Sequence, residues 1–149
     1  MDDLGAADIL LAEDSDADAE LTLRALRKGN LVNKVLRVRD GVEALEYMFR
    51  EGEFANRPGN NPKLVLLDMK MPRLSGLDVL RRLRADERTK FIPVVVLTSS
   101  AEDCDIIESY HLGVNSYLVK PVNFAEFTQV VAHVGLYWAV LNRMPALNA

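Results

Sequence analysis

Five short apolar runs alternate along the chain with longer stretches whose apolar residues recur at helical period. This alternation is typical of a parallel β-sheet whose strands are joined by crossover helices. The third and fourth runs are apolar at every position, which predicts strands that are covered on both faces and lie in the middle of the sheet. The predicted strands are residues 9–12, 35–38, 64–67, 94–97 and 116–119.

Each amphipathic stretch follows a Ser, Asp or Asn that has an acidic residue three positions later, a spacing typical of a helix start. The pairs are Ser15 with Asp18, Asp40 with Glu43, Ser75 with Asp78, Ser100 with Asp103, and Asn123 with Glu126. The predicted helices are residues 16–28, 41–51, 76–87, 101–112 and 124–142. The fold class is therefore α/β, a (βα)5 doubly wound parallel sheet with an extended C-terminal helix.

Glycines and a polar segment predict the connections between these elements. Gly29 and Gly113 stand where left-handed C-terminal caps are expected. The segment from Glu51 to Lys63 is rich in Pro, Gly and Asn. We interpret it as a surface loop, not as a domain boundary.

Length and composition exclude several classes of protein. The 149 residues predict one domain, residues 1–149, with no output domain. A net charge of −4 disfavours nucleic acid as a direct partner. The longest nearly apolar stretch has 12 residues, too few to span a membrane, and the acidic N-terminus lacks a secretory signal, so we expect a cytoplasmic protein. With Cys104 alone, neither an internal disulfide nor a thiolate metal cluster is possible.

The candidate site residues follow four of the five predicted strands, where the ligands of doubly wound sheets bind. Glu13 and Asp14 follow the first strand, Asp68 the third, Thr98 the fourth and Lys120 the fifth. Clustered carboxylates repel one another unless a cation neutralises them, and Mg2+ prefers oxygen ligands. An Asp, a Thr or a Lys after one strand is an ordinary turn, strand-end or surface residue. The combination predicts phosphoryl chemistry with Asp68 as the nucleophile.

These residues also carry a family resemblance. Glu13-Asp14, Asp68 with Met71-Pro72 and Gly76, Thr98-Ser99, and Lys120-Pro121 resemble the receiver domain of two-component response regulators. The resemblance implies a flavodoxin-like strand order 2-1-3-4-5. It also implies that Asp68 accepts a phosphoryl group from a sensor histidine kinase.

The resemblance assigns further roles around Asp68. Mg2+ would be held by Glu13, Asp14, Asp68 and the backbone carbonyl of Lys70. Thr98 would be the switch hydroxyl and Tyr117 the aromatic switch. Lys120 would contact the phosphoryl group and precede a cis peptide bond to Pro121. Such a protein is not a turnover enzyme, because it catalyses only its own phosphorylation and dephosphorylation.

Other segments resemble the small regulators that partner bacterial phytochrome kinases. They are the loop 51–63, Met71-Pro72-Arg73, Tyr137-Trp138 and Met144-Pro145. The resemblance implies a phytochrome-type kinase partner and a homodimer formed through the C-terminal helix, with an unidentified downstream protein.

Helical periodicity supports a contact surface near the end of that helix. Leu136 and Val140 fall off the apolar stripe that would dock it on the sheet, and Tyr137 lies at the edge of that stripe. We interpret these three residues as the dimer interface.

Three alternative functions remain open from the sequence. A flavin or nucleotide binder on the same fold would need a Gly-, Ser- or Thr-rich turn for phosphate, but the first turn here is acidic. An aspartyl-phosphate phosphatase would need an acid-base carboxylate two residues after Asp68, where this chain has Lys70. A receiver that only binds partners would lack part of the chemical set that is present here.

Overall fold

A sheet of five parallel strands alternates with five α-helices in the computed structural model, which describes residues 7–29, 33–99, 104–133 and 135. The strands are β1 (Ile9–Ala12), β2 (Val35–Val38), β3 (Leu64–Asp68), β4 (Val94–Thr98) and β5 (Ser116–Val119). The helices are α1 (Asp16–Lys28), α2 (Gly41–Phe49), α3 (Gly76–Ala85), α4 (Cys104–His111) and α5 (Phe124–His133). The predicted α/β class, a doubly wound parallel sheet with crossover helices, is confirmed.

The strand order is β2-β1-β3-β4-β5, as the resemblance implies. After β1 the chain goes first to one side of that strand and then to the other, so the crevice at the carboxyl ends opens between β1 and β3. β3 and β4 are buried at every residue, in agreement with their uniformly apolar sequences. Each extends one residue beyond its predicted end, so that Asp68 and Thr98 are the last residues of their strands.

Two hydrophobic clusters cover the two faces of the sheet. Helices α1 and α5 cover one face with Ala19, Leu26, Phe127 and Val131, all nearly inaccessible to solvent. Helices α2 and α3 cover the other face. Successive residues of a strand point to opposite faces, so each buried strand contributes side chains to both clusters.

Three helices end earlier than predicted. Helix α2 ends at Phe49 because Arg50 adopts a left-handed conformation with φ 56° and closes the helix. Helix α3 ends at Ala85 because Asp86 is extended. Helix α4 ends at His111, one residue early. The start predicted for the fourth helix, the Ser100–Asp103 pair and the end predicted for the fifth lie outside the described residues.

The two glycine predictions have different outcomes. Gly113 has a φ of +91° and is left-handed as predicted. Gly29 has a φ of −81°, so the prediction of a left-handed cap is wrong. A Cβ atom at Gly29 would overlap the ring of Phe124. The absence of a side chain therefore allows α1 and α5 to approach.

The segment 51–63 lies mostly at the surface, as predicted, but it is partly ordered by internal structure. It contains a short 3-10 helix, Gly52–Phe54, and Arg57, which follows this helix, is buried. The Arg57 guanidinium donates hydrogen bonds to the carbonyl of Tyr47 at 2.6 Å and to Asn61 Oδ1 at 2.7 Å, and it lies 4.2 Å from the centre of the Tyr47 ring. These contacts attach the segment to α2.

Among the described residues, no helix combines the length and the apolar composition that crossing a membrane requires.

Candidate functional site

The carboxyl ends of β1, β3, β4 and β5 surround a cavity of about 130 Å³. Every charged or hydroxyl residue that the sequence placed after these strands lines it. Gly76, at the start of α3, packs against the Asp68 backbone so closely that a Cβ atom would overlap the Asp68 carbonyl oxygen. The lining residues are Glu13, Asp14, Ser15, Asp18, Asp68, Met69, Lys70, Thr98, Ser99 and Lys120.

Three carboxylates meet in this cavity. One oxygen atom from each of Glu13, Asp14 and Asp68 lies within 4.8 Å of the other two. Glu13 is fully buried, Asp68 is 4% exposed, and Asp14 reaches solvent. Burial raises the pKa of Asp68 to about 7, and the hydrogen bond and negative charge of Glu13 act in the same direction.

Lys120 is the cation of the cluster. Its Nζ donates hydrogen bonds to Glu13 Oε1 at 3.1 Å and to Asp18 Oδ2 at 3.0 Å, and it lies 3.5 Å from Asp68 Oδ2. Burial alone would lower the pKa of Lys120, but hydrogen bonds to Asp18 and Glu13 and the charge of Asp68 raise it above its ordinary value. The ammonium is therefore protonated at neutral pH. The Lys120–Pro121 peptide bond is cis, as the resemblance implies.

Backbone groups orient the two buried carboxylates. The N–H of Ser15 donates to Glu13 Oε2 at 3.2 Å, and the N–H of Lys70 donates to Asp68 Oδ1 at 3.2 Å. The guanidinium of Arg37, on β2, donates to the Glu13 carbonyl at 2.8 Å. No sequence motif had singled out Arg37, because this contact depends on the pairing of β1 with β2.

Thr98 and Tyr117 lie on the same face of the sheet. Thr98 is 2% exposed at the end of β4, and the Lys120 N–H donates to its carbonyl at 2.7 Å. Tyr117 is paired with Val96, two residues before Thr98, and packs against the cluster under α2 and α3. Because side chains alternate along a strand, Val96 and Thr98 share a face. Tyr117 does not line the cavity, so only Thr98 is in a position to contact a group bound there.

Asp18 lines the cavity although sequence reasoning did not assign it to the site. It was interpreted only as the acidic partner of the Ser15 helix cap, and its backbone N–H does donate to Ser15 Oγ at 3.2 Å. Its carboxylate, however, lines the cavity and accepts a hydrogen bond from Lys120. The predicted interface residues Leu136, Tyr137 and Val140 lie outside the described residues.

The donor set suits a hard divalent cation. Three carboxylates within reach of one another offer oxygen ligands, and the charge of the Lys120 ammonium offsets only part of the negative charge that they carry together. A group with negatively charged oxygens can approach Asp68 only when the remaining negative charge is reduced. The cavity is therefore suited to a cation together with a phosphoryl group.

Comparisons with known proteins agree with this geometry. The sequence matches the family described as response regulator receiver domain over residues 9–132. A structure titled bacteriophytochrome response regulator RtBRR is 50% identical, with a TM-score of 0.84 over 94% of this chain and 84% of that one. A structure of the Mn2+-bound response regulator Rcp1 is 37% identical, with a TM-score of 0.71 over 93% of this chain and 98% of that one.

A curated relative carries a different description. The probable methanogenesis regulatory protein FilR2 of Methanothrix harundinacea is 40% identical over 137 residues, which are 92% of this chain and 86% of that protein. The relatives therefore share the receiver architecture but differ in the processes that their names describe.

Proposed function

Because the chain belongs to the response regulator receiver family, we propose that Asp68 is its phosphoacceptor and that a sensor histidine kinase is the donor. The observation that carries the proposal is the position of Asp68. Its carboxylate ends a buried strand, lies within 4.8 Å of two further carboxylates, and has the Lys120 ammonium 3.5 Å away. Receivers transmit signals through phosphorylation of an aspartate, and Asp68 is the aspartate at that place in the motif.

In the proposed transfer, a carboxylate oxygen of Asp68 attacks the phosphorus of a phosphohistidine. The new O–P bond forms as the P–N bond breaks, and the electron pair of that bond stays on the imidazole nitrogen. The Lys70 N–H orients Asp68 through Oδ1. Lys120 brings positive charge to the oxygens of the transferring group, where negative charge develops.

We assign the cation to Mg2+, held by Asp14, Asp68 and Glu13 with the Lys70 carbonyl as a further ligand. When bound, it would neutralise charge on the phosphoryl oxygens. Asp14 is the exposed member of the three carboxylates and faces the solvent from which the cation enters. The Mn2+-bound state of Rcp1 supports a divalent cation in this family.

Thr98 and Tyr117 are proposed to carry the signal away from Asp68. A hydroxyl that moves toward the new phosphoryl group vacates space on the face it shares with Tyr117, and the ring can then turn inward. Such a movement shifts an existing equilibrium between conformations of β5 and its flanking helices α4 and α5. Thr98→Ala is expected to accept phosphate but to lose the phosphorylation-dependent change in partner affinity, which titration with a binding partner measures.

The partners are proposed from the relatives. RtBRR is a bacteriophytochrome response regulator, which favours a phytochrome-type kinase. We also retain the prediction of a homodimer through Leu136, Tyr137 and Val140. A double change of Leu136 and Val140 to Glu should shift the monomer–dimer equilibrium at least tenfold in sedimentation, because each buried side chain contributes on the order of 1.5–3 kcal/mol. A parent that stays monomeric with and without phosphate refutes the dimer.

Phosphotransfer from kinases labelled with radioactive ATP tests the main proposal. A phytochrome-type kinase should label the parent in the presence of Mg2+ and should not label Asp68→Asn. Asp86→Asn is the matched control, because Asp86 follows the C-terminal end of α3 and does not line the cavity. Intact-mass measurement of a full phosphate adduct on Asp68→Asn would show that another residue is the acceptor.

A further inference from the structure

Two helices start with the same Ser-x-x-Asp spacing but use the aspartate differently. At α3, Asp78 Oδ2 accepts from the Ser75 backbone N–H at 3.3 Å, which completes a reciprocal capping box. At α1, the Ser15 N–H donates instead to Glu13 Oε2. The Asp18 carboxylate is thus not used by the cap, and its Oδ2 accepts a hydrogen bond from Lys120 at 3.0 Å.

From this difference we propose that Asp18 is a positioning residue for phosphorylation, acting by holding the Lys120 ammonium beside Asp68; the inference rests on the proposed function. Lysine has a flexible four-carbon side chain and three N–H donors. Glu13 and Asp18 each accept one hydrogen bond from the ammonium, at 3.1 and 3.0 Å. Two acceptors fix the position of the ammonium, whereas with one acceptor the lysine side chain would remain free to rotate.

The position that results suits the reaction. The ammonium lies 3.5 Å from Asp68 Oδ2, close enough to neutralise charge but longer than either of its two hydrogen bonds. The Asp68 oxygen therefore stays available for attack, and an incoming phosphoryl group meets a cation already in place. Preorganised charge of this kind stabilises a transition state without reorganisation at the moment of reaction.

The surroundings of Asp18 differ from those of Glu13. Asp18 lies in the first turn of α1, where the helix dipole stabilises a negative charge. Its side chain is 40% exposed, against 17% for Lys120. Glu13, the other acceptor of the Lys120 ammonium, is fully buried.

Asp16 provides a matched control in the same turn. Its Oδ1 accepts from Arg37 and Arg39, both at 2.8 Å, and it does not line the cavity. Asp16→Asn and Asp18→Asn remove the same charge from the same helix terminus. Only Asp18→Asn takes a charged acceptor away from Lys120, because the amide oxygen that remains is neutral and accepts a weaker hydrogen bond.

The first measurement observes the ammonium directly. In a nitrogen-edited NMR spectrum at low temperature, ammonium protons held in hydrogen bonds exchange slowly and give a signal. The signal of Lys120 is identified by its absence from the spectrum of Lys120→Met. The signal should persist in Asp16→Asn and broaden beyond detection in Asp18→Asn. A signal that is unchanged in Asp18→Asn overturns the proposal.

The second measurement is the second-order rate of labelling by acetyl phosphate at saturating Mg2+. Asp18→Asn should lower this rate roughly three- to tenfold, and Asp16→Asn less than about twofold. In a Lys120→Met background, Asp18→Asn should cause no further loss, because its effect passes through Lys120. An equal loss in both backgrounds, or a rate that is unchanged or raised in Asp18→Asn, overturns the positioning role.

The two measurements separate this inference from the function on which it rests. If acetyl phosphate and Mg2+ leave the parent unlabelled, phosphorylation by this donor fails, whereas the NMR signal still decides whether Asp18 holds Lys120. If the parent is labelled and the Asp18→Asn rate matches that of the parent, the phosphoacceptor stands and the role of Asp18 is refuted.

Discussion

Removal of the Asp68 carboxylate should stabilise the cation-free protein at high pH. The pKa of Asp68 is raised from 3.8 to about 7, first by burial and then by the hydrogen bond and charge of Glu13. Between these two values the folded state binds more protons at this site than the unfolded state does. The free energy of unfolding of the parent therefore falls as the pH rises and levels off above pH 7.

The size of the effect follows from the shift. Raising the pH from 5 to 8 crosses about two units of this pKa shift, which correspond to a loss of ~3 kcal/mol in the free energy of unfolding of the parent. Solvent at the open mouth of the cavity screens part of this interaction, so we expect roughly 1–2 kcal/mol. Asp68→Asn does not titrate. The free energy of unfolding of Asp68→Asn, relative to that of the parent, should therefore rise by roughly 1–2 kcal/mol between pH 5 and pH 8.

Urea unfolding in the presence of EDTA at the two pH values measures the difference. Asp86→Asn is the control, because hydrogen bonds from Arg88 lower the pKa of Asp86 to about 2 and it therefore stays ionised throughout. Adding Mg2+ at 100 times its dissociation constant should stabilise the parent at pH 8 by ~2.7 kcal/mol. A stability difference between Asp68→Asn and the parent that does not change with pH would refute the reasoning.

Three further substitutions test the site and the fold. Asp14→Ala should abolish Mg2+ binding in calorimetric titration, since too few anionic ligands remain for a strongly hydrated ion; unchanged affinity places the cation elsewhere. Arg57→Ala should lower the free energy of unfolding by about 2–3 kcal/mol in urea, because the buried carbonyl of Tyr47 loses its charged donor; a loss below about 0.5 kcal/mol contradicts that anchoring role. Gly29→Ala should cost about 1–3 kcal/mol, since the new methyl group would overlap Phe124; a variant as stable as the parent shows that the ring moves aside freely.

Local patterns determined most of the fold. The uniformly apolar runs at 64–67 and 94–97 predicted strands covered on both faces, and both are interior strands of the sheet. Sequence could not locate the end of α2 at Phe49, because Arg50 adopts a left-handed conformation that its residue type does not favour. Sequence also did not show that Arg57 would be buried, since its partners on α2 are ten residues earlier in the chain.

The sequence determined part of the functional site, and the tertiary structure decided the rest. The identities of Glu13, Asp14, Asp68, Thr98 and Lys120 and their places at strand ends were readable from sequence, because parallel strands bring their carboxyl ends to one edge of the sheet. The distances among their side chains were not. These distances depend on the packing of α1 against the sheet and on the side-chain conformations within the cavity.

Two identical spacings, Ser15-x-x-Asp18 and Ser75-x-x-Asp78, separate what the sequence determines from what the tertiary structure decides. Each spacing correctly predicts the N-terminus of a helix, because the serine oxygen accepts a backbone N–H of the first turn. Only the tertiary structure decides what the aspartate does next. Asp78 closes its own capping box, whereas Asp18 binds an ammonium 102 residues later in the chain, because the fold brings Lys120 beside α1 and gives the Ser15 N–H another acceptor in Glu13.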